Sequence, residues 1–138
     1  MFSSTTEYAI RAVIYIAEHE SAGPVSAGDT AAALDAPVNY LAKTLHGLVR
    51  AGLLESTRGK GGGFRLVDPA DTVSLLAVAS VFDRIDERPR CLLGRPQCRD
   101  DQPCAMHERW KPLAEGFAAF LRETTVADLI SPTAMSPE

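Results

Sequence analysis

The sequence predicts a mainly α-helical fold with one small β-hairpin, and three observations carry that expectation. Apolar residues recur at helical spacing over residues 3–20. Two tight breaks, Gly23-Pro24 and Asp35-Ala36-Pro37, then divide the first fifty or so positions into three helical runs. Finally, a glycine-rich tip at 59–63 separates two short strand-like runs. At 138 residues the chain fits one domain, long enough to bury a hydrophobic core without disulfide staples.

In the first helix, Ala9, Ala12, Val13, Ile16 and Ala17 occupy the i, i+3, i+4, i+7, i+8 positions of one apolar face. Tyr8, Ile10, Ile14 and Tyr15 make the remaining sides apolar too, which leaves a face for a second subunit. After Gly23-Pro24, Ser26 caps a short alanine-rich helix through Leu34. Pro37 suits the first turn of a third helix over 37–51. That helix should bury Leu41, Leu45 and Leu48, present Asn39, Tyr40, Lys43, Gly47 and Arg50 on its other side, and end at Gly52.

The runs 53–58 and 64–67 make the hairpin, closed by Asp68-Pro69. A helix over 73–83 follows, with Val73, Leu76, Ala77 and Ser80 on one side. From Met106 the apolar residues Met106, Trp110, Leu113, Phe117 and Phe120 form a heptad-like seam suited to helix–helix packing. Pro112 should bend that helix or begin its straight part. Thr124 or Thr125 caps a last short helix through Ile130, and residues 131–138 read as a disordered tail.

The net charge of −4 is unevenly distributed. Residues 38–66 hold Lys43, Arg50, Arg58, Lys60 and Arg65 against Glu55 alone, a local charge of +4 that leaves −8 for the rest. A basic block in an acidic chain is what a surface facing polyanion requires. Two short helices joined tightly and followed by a hairpin make a winged helix-turn-helix, whose second helix enters the major groove of duplex DNA. Asn39 and Tyr40, near the start of that helix, are placed to reach phosphates or base edges, and Lys43 and Arg50 to reach phosphates. Glycines around Arg58 and Lys60 let the wing backbone approach the duplex, so either cation can enter the minor groove. A P-loop is excluded, since its G-x4-G-K-[ST] order is absent.

All three cysteines lie in one stretch, Cys91, Cys98 and Cys104, with His107 three residues beyond the last. Thiolates with an imidazole suit zinc, copper(I) or an iron–sulfur cluster. An odd number cannot pair fully as disulfides within the chain. A metal or cluster, a redox-switching thiol set and three structural cysteines are the alternatives. The N-terminus has no signal-peptide pattern and no run approaches membrane-spanning length, so a cytoplasmic protein with reduced thiols is expected. Scattered acids and the lack of any nucleophile–base pair or cofactor fingerprint argue against an enzyme. A protein-interaction adaptor built on the same fold would lack salt-dependent DNA affinity.

Four segments together resemble the Rrf2 family of bacterial winged-helix regulators. They are Glu7-Tyr8-Ala9-Ile10-Arg11-Ala12, the wing from Arg58 to Leu66, the cysteine triplet, and Thr125-Val126-Ala127-Asp128-Leu129-Ile130. The resemblance spans about residues 2–130. It implies homodimers joined through a long C-terminal dimerisation helix, here about 105–123, and binding to near-palindromic promoter sites, with repression the commoner sign. It also implies a DNA-binding domain over 1–70 and, within 71–130, a sensor loop at about 87–107 beside the dimerisation helix. In the cluster-binding members three cysteines hold an iron–sulfur cluster, a 2Fe–2S or a 4Fe–4S form. By that likeness Cys91, Cys98, Cys104 and His107 are the ligands, with Glu7 as an alternative fourth. One departure stands out: six residues separate Cys91 from Cys98, where the histidine-bearing members have five. Sensing by thiol oxidation or zinc binding on the same fold is the alternative.

Overall fold

Ser3 opens the first helix, its hydroxyl oxygen accepting the Thr6 amide at 3.2 Å, one of the amides that a helix start leaves without a partner. The computed structural model describes residues 2–83, 93, 101–103 and 105–130. Helix α1 (Ser4–His19) buries Ala9, Ala12, Val13 and Ile16 completely or nearly so, the stripe that the spacing predicts. A 3-10 turn, Glu20–Ala22, extends it to Gly23. Ser26 caps α2 (Ala27–Leu34) by accepting the Asp29 amide at 3.0 Å.

Pro37 stands just before α3 (Val38–Arg50), in extended conformation, rather than inside its first turn. Leu41, Leu45 and Leu48 are fully buried, as expected. The helix ends as Gly52 adopts φ 84°, with the Leu53 amide bonded to the Leu48 carbonyl at 3.0 Å and that of Gly52 to Val49 at 3.0 Å. Gly47 departs from expectation. It is buried, because the Phe82 ring occupies the space that a side chain there would need.

Strands β1 (Leu54–Thr57) and β2 (Gly63–Leu66) pair antiparallel, with Leu54 opposite Leu66 and Ser56 opposite Phe64. Val25 adds a one-residue third strand, exchanging both backbone hydrogen bonds with Phe64 at 2.9 and 2.8 Å. That bridge fixes the wing to the α1–α2 connection.

Helix α4 (Leu75–Ala79) is shorter than 73–83 and buries a different face: Leu75, Val78 and Ala79, with Val73 just before it. Leu76 and Ala77 are half-buried and Ser80 is exposed. The cause is Ser74, which caps the helix, and the extended pairing around it, where Leu75 and Val73 exchange backbone bonds with Thr124 and Val126. Helix α5 (His107–Glu123) contains Pro112 and buries Ala114 and Leu121. Of the heptad seam, Trp110 and Phe117 are half-buried, while Leu113 (68%) and Phe120 (51%) face solvent in the single chain. Thr125 and Asp128 cap the closing 3-10 turn, Ala127–Leu129, reciprocally. One apolar cluster unites Leu41, Leu45 and Leu48 with Val78 and Val126, so the chain that follows the wing packs on the helices before it. The cysteines and the 131–138 tail lie outside the described residues.

Asp83 ties the end of this unit to its beginning. Its Oδ2 accepts the Ser3 amide at 2.9 Å and the Ser3 hydroxyl at 3.3 Å. The Ser3 amide, aided by the Thr6 and Ser3 hydroxyls and opposed by burial, holds the Asp83 carboxyl below the ordinary carboxylate value. A lowered folded-state value means stability that is present above the unfolded value of 3.8 and lost as pH falls through the folded one. Asp83→Ala should therefore lower the thermal midpoint slightly at neutral pH, the gap closing in acid. A gap that persists unchanged after the carboxyl is protonated would contradict this.

Candidate nucleic-acid interface

On α3, Asn39, Lys43, His46 and Arg50 follow one another at i, i+4, i+7 and i+11 and are all exposed, forming a polar stripe opposite the buried leucines. Tyr40 is handled differently. Its hydroxyl shares a hydrogen bond with that of Thr5, and its ring meets Tyr8 edge-on at 5.6 Å. Arg11 lies over the Tyr8 ring at 5.5 Å and donates to the Leu34 carbonyl at 3.2 Å. Tyr40, still 37% exposed, therefore anchors the start of α3 to the start of α1.

At the wing tip, Gly59 and Gly61 take positive φ and the Gly62 amide bonds to the Gly59 carbonyl at 3.0 Å. A Cβ at Gly62 would collide with the Thr57 carbonyl, so the turn requires glycine there. Arg58 and Lys60 project from this tip, both exposed. Arg65 stands apart from them. It alternates with the inward Phe64 and Leu66, and lies half-buried in a depression with Ala17, Glu20 and Ser21, where Glu20 accepts the Leu66 amide at 2.8 Å. The structure thus gathers Asn39, Lys43 and Arg50 on one stripe and Arg58 and Lys60 on the wing, with Arg65 beside the end of α1.

Of the sulfur-site candidates, His107 opens α5 and is half-buried, and Glu7 is exposed in the first turn of α1 beside Phe2, Tyr8 and Arg11. Among the described residues no group of three histidines, cysteines or acids could hold a metal ion. Cys91, Cys98 and Cys104 lie outside them. Three features are not apparent from the sequence alone: His46 on the polar stripe, the Phe82 ring against Gly47, and the Val25 bridge. Only the first has a local signal, the i+3 spacing from Lys43.

Lys43→Ala should reduce the dependence of log affinity on log salt by about 1, the share of a single phosphate neutralised by this lysine. Equal slopes for variant and parent would remove Lys43 from the interface.

A polar helix stripe flanked by a cation-tipped hairpin defines a class: winged helix-turn-helix proteins that grip duplex DNA. The chain belongs to the Rrf2 family, whose model, described as an iron-dependent transcriptional regulator, matches residues 2–132. A protein described as an HTH-type transcriptional regulator in Haemophilus influenzae is 35% identical over 130 residues, 94% of this chain and 85% of that one. The HTH-type transcriptional regulator IscR of Erwinia tasmaniensis is 31% identical over 129 residues, covering 94% and 78% of the two chains. Among solved structures, the global cysteine regulator CymR of B. subtilis superposes with a TM-score of 0.81 at 25% identity, over 95% and 96% of the chains. IscR of T. potens shares the fold with a TM-score of 0.76 at 21% identity, over 100% and 93%. The relatives are transcriptional regulators, and the chain is a regulator rather than an enzyme. No helix among the described residues is long and apolar enough to cross a membrane.

Proposed function

We propose that this regulator is a cytoplasmic homodimer that represses near-palindromic promoters and changes its grip when its cysteine segment changes state. The observation that carries the proposal is the place where α4 hands over to that segment. Phe82 rests on Gly47 of α3 and Asp83 on Ser3, the cap of α1, and both residues immediately precede the chain that bears the cysteines. A pull on that chain therefore acts on the recognition helix and on the helix that Tyr40 and Thr5 fasten to it. The unit over 1–70 would bind DNA, and 71–130 would sense and dimerise. Leu113 and Phe120, exposed on α5, provide apolar surface for a second copy.

The donor set fits an iron–sulfur cluster, with Cys91, Cys98, Cys104 and His107 as the ligands and Glu7 as the alternative fourth. When bound, such a cluster supplies chemistry sensitive to redox state, nitric oxide or iron–sulfur status. A 2Fe–2S form is favoured over 4Fe–4S, because an imidazole fourth ligand suits the smaller cluster in the members that this triplet resembles. The longer Cys91–Cys98 interval favours one alternative, thiol oxidation or zinc binding without a cluster. Anaerobic purification separates the two. Brown protein with visible absorption and near-stoichiometric iron and sulfide is expected, and colourless, sulfide-free protein after anaerobic reconstitution would eliminate the cluster.

A further inference from the structure

We infer that His46 binds a DNA phosphodiester at the joint between α3 and the wing, doing so as the protonated imidazolium. His46 completes the exposed stripe between Lys43 and Arg50, so it faces the same way as the residues that meet DNA. It also touches the hairpin: its ring meets Phe64 edge-on, centroids 5.4 Å apart at 70°. Phe64 is itself held by the double backbone bond to Val25. The imidazole is thus oriented by packing while remaining exposed, and among the described residues neither ring nitrogen has a hydrogen-bond partner within the protein.

The position of the joint identifies the ligand. A recognition helix in the major groove and a wing in the neighbouring minor groove straddle the sugar–phosphate ridge that separates the two grooves. A side chain at the helix–wing joint faces that ridge, where the available acceptors are phosphate oxygens. The charged residues that share the stripe with His46, Lys43 and Arg50, are cationic, as are Arg58 and Lys60 at the wing tip. The hairpin face that carries Phe64 also carries Leu54, Ser56 and Leu66, whereas Glu55 pairs with Arg65 in the alternate, opposite-facing register. Among the described residues no carboxylate is hydrogen-bonded or ion-paired to the ring. Histidine changes charge between about pH 5 and 8, so binding through the imidazolium takes up a proton.

The assignment rests on DNA binding through α3 and the wing, and the test separates the two. The full-length protein is titrated at fixed salt against a duplex of about 30 base pairs selected from a randomised pool, long enough for half-sites about one helical turn apart. The series covers about pH 8 to pH 6 and the parent, His46→Gln and His46→Lys. The parent should bind roughly three- to five-fold more tightly at the acid end. His46→Gln should lose that gain although His19 and His107 remain. His46→Lys should bind at least as tightly as the acid-end parent, without pH dependence. A pH response shared equally by parent and His46→Gln overturns the assignment, as does weaker binding by His46→Lys than by His46→Gln when both melt like the parent. Absence of parent binding at any pH overturns the DNA-binding account and this assignment with it.

Discussion

Gly63→Ala should destabilise the protein by about 2–5 kcal/mol, more than a substitution at any exposed position of the wing. Gly63 holds φ 156°, and a Cβ there would lie 2.5 Å from the carbonyl carbon and oxygen of Val25 and 2.8 Å from the Ser26 nitrogen. All of these are backbone atoms, so no flexible side-chain end can swing away. The chain can accommodate the methyl by separating β2 from Val25, which gives up the two hydrogen bonds between Val25 and Phe64. Each is worth about 0.5–1.5 kcal/mol, and the unfavourable backbone adds about 1–2. The same separation tilts the wing, so DNA affinity should fall alongside stability. Urea unfolding measures the first effect. A midpoint indistinguishable from the parent, with the same slope, would show that the wing is not fastened through this contact.

Arg58→Ala should weaken binding to a promoter duplex by about 1–3 kcal/mol, roughly 5- to 150-fold, while leaving the unfolding midpoint unchanged. Unlike Gly63, Arg58 is exposed at the tip and has no hydrogen bond or ion pair among the described residues, so its removal takes little from the fold. Whatever affinity disappears belongs to the contact with DNA. If the arginine enters the minor groove, the effect should be greatest on sites whose flanks are rich in A·T, where the groove is narrow and strongly negative. Unchanged affinity at fixed salt would take Arg58 out of the interface.

Much of this architecture is legible in local chemistry. Ser3, Ser26 and Gly52 act within a few residues of themselves, so the first three helices can be read from caps and apolar spacing. The glycines at 59–63 announce the turn between β1 and β2 for the same reason. Features that the sequence conceals depend on distant partners. The face of α4 is displaced because Val73 and Leu75 pair with residues 124–126, and nothing near position 73 encodes that. Gly47 looks polar-faced because glycine has no side chain to show which way it points; Phe82 decides its surroundings. Nothing near Tyr40 announces that Thr5 and Tyr8 hold it. The cation stripe, by contrast, obeys helical spacing and needs no distant partner to be seen.

The exposed leucine and phenylalanine of α5 follow the same logic at the level of assembly. Their heptad spacing is visible in the sequence, yet a single folded chain leaves Leu113 and Phe120 uncovered, because the surface they are proposed to match belongs to another copy. On the proposed function, Gly47 and Phe82 are where sensing would meet DNA reading. The Phe82 ring, seated against Gly47 of α3, would there turn a small displacement at its own root into a displacement of the helix.

Whether the cysteine segment governs the grip on DNA can be decided by one titration at fixed salt. The anaerobically purified parent, the same protein after exposure to oxidant, and Cys104→Ala treated both ways are each titrated against one promoter duplex. Control by the cysteines requires a change of roughly 5- to 150-fold between the two states of the parent, a coupling of about 1–3 kcal/mol, and none between those of the variant. Identical affinity in both states of the parent would refute it.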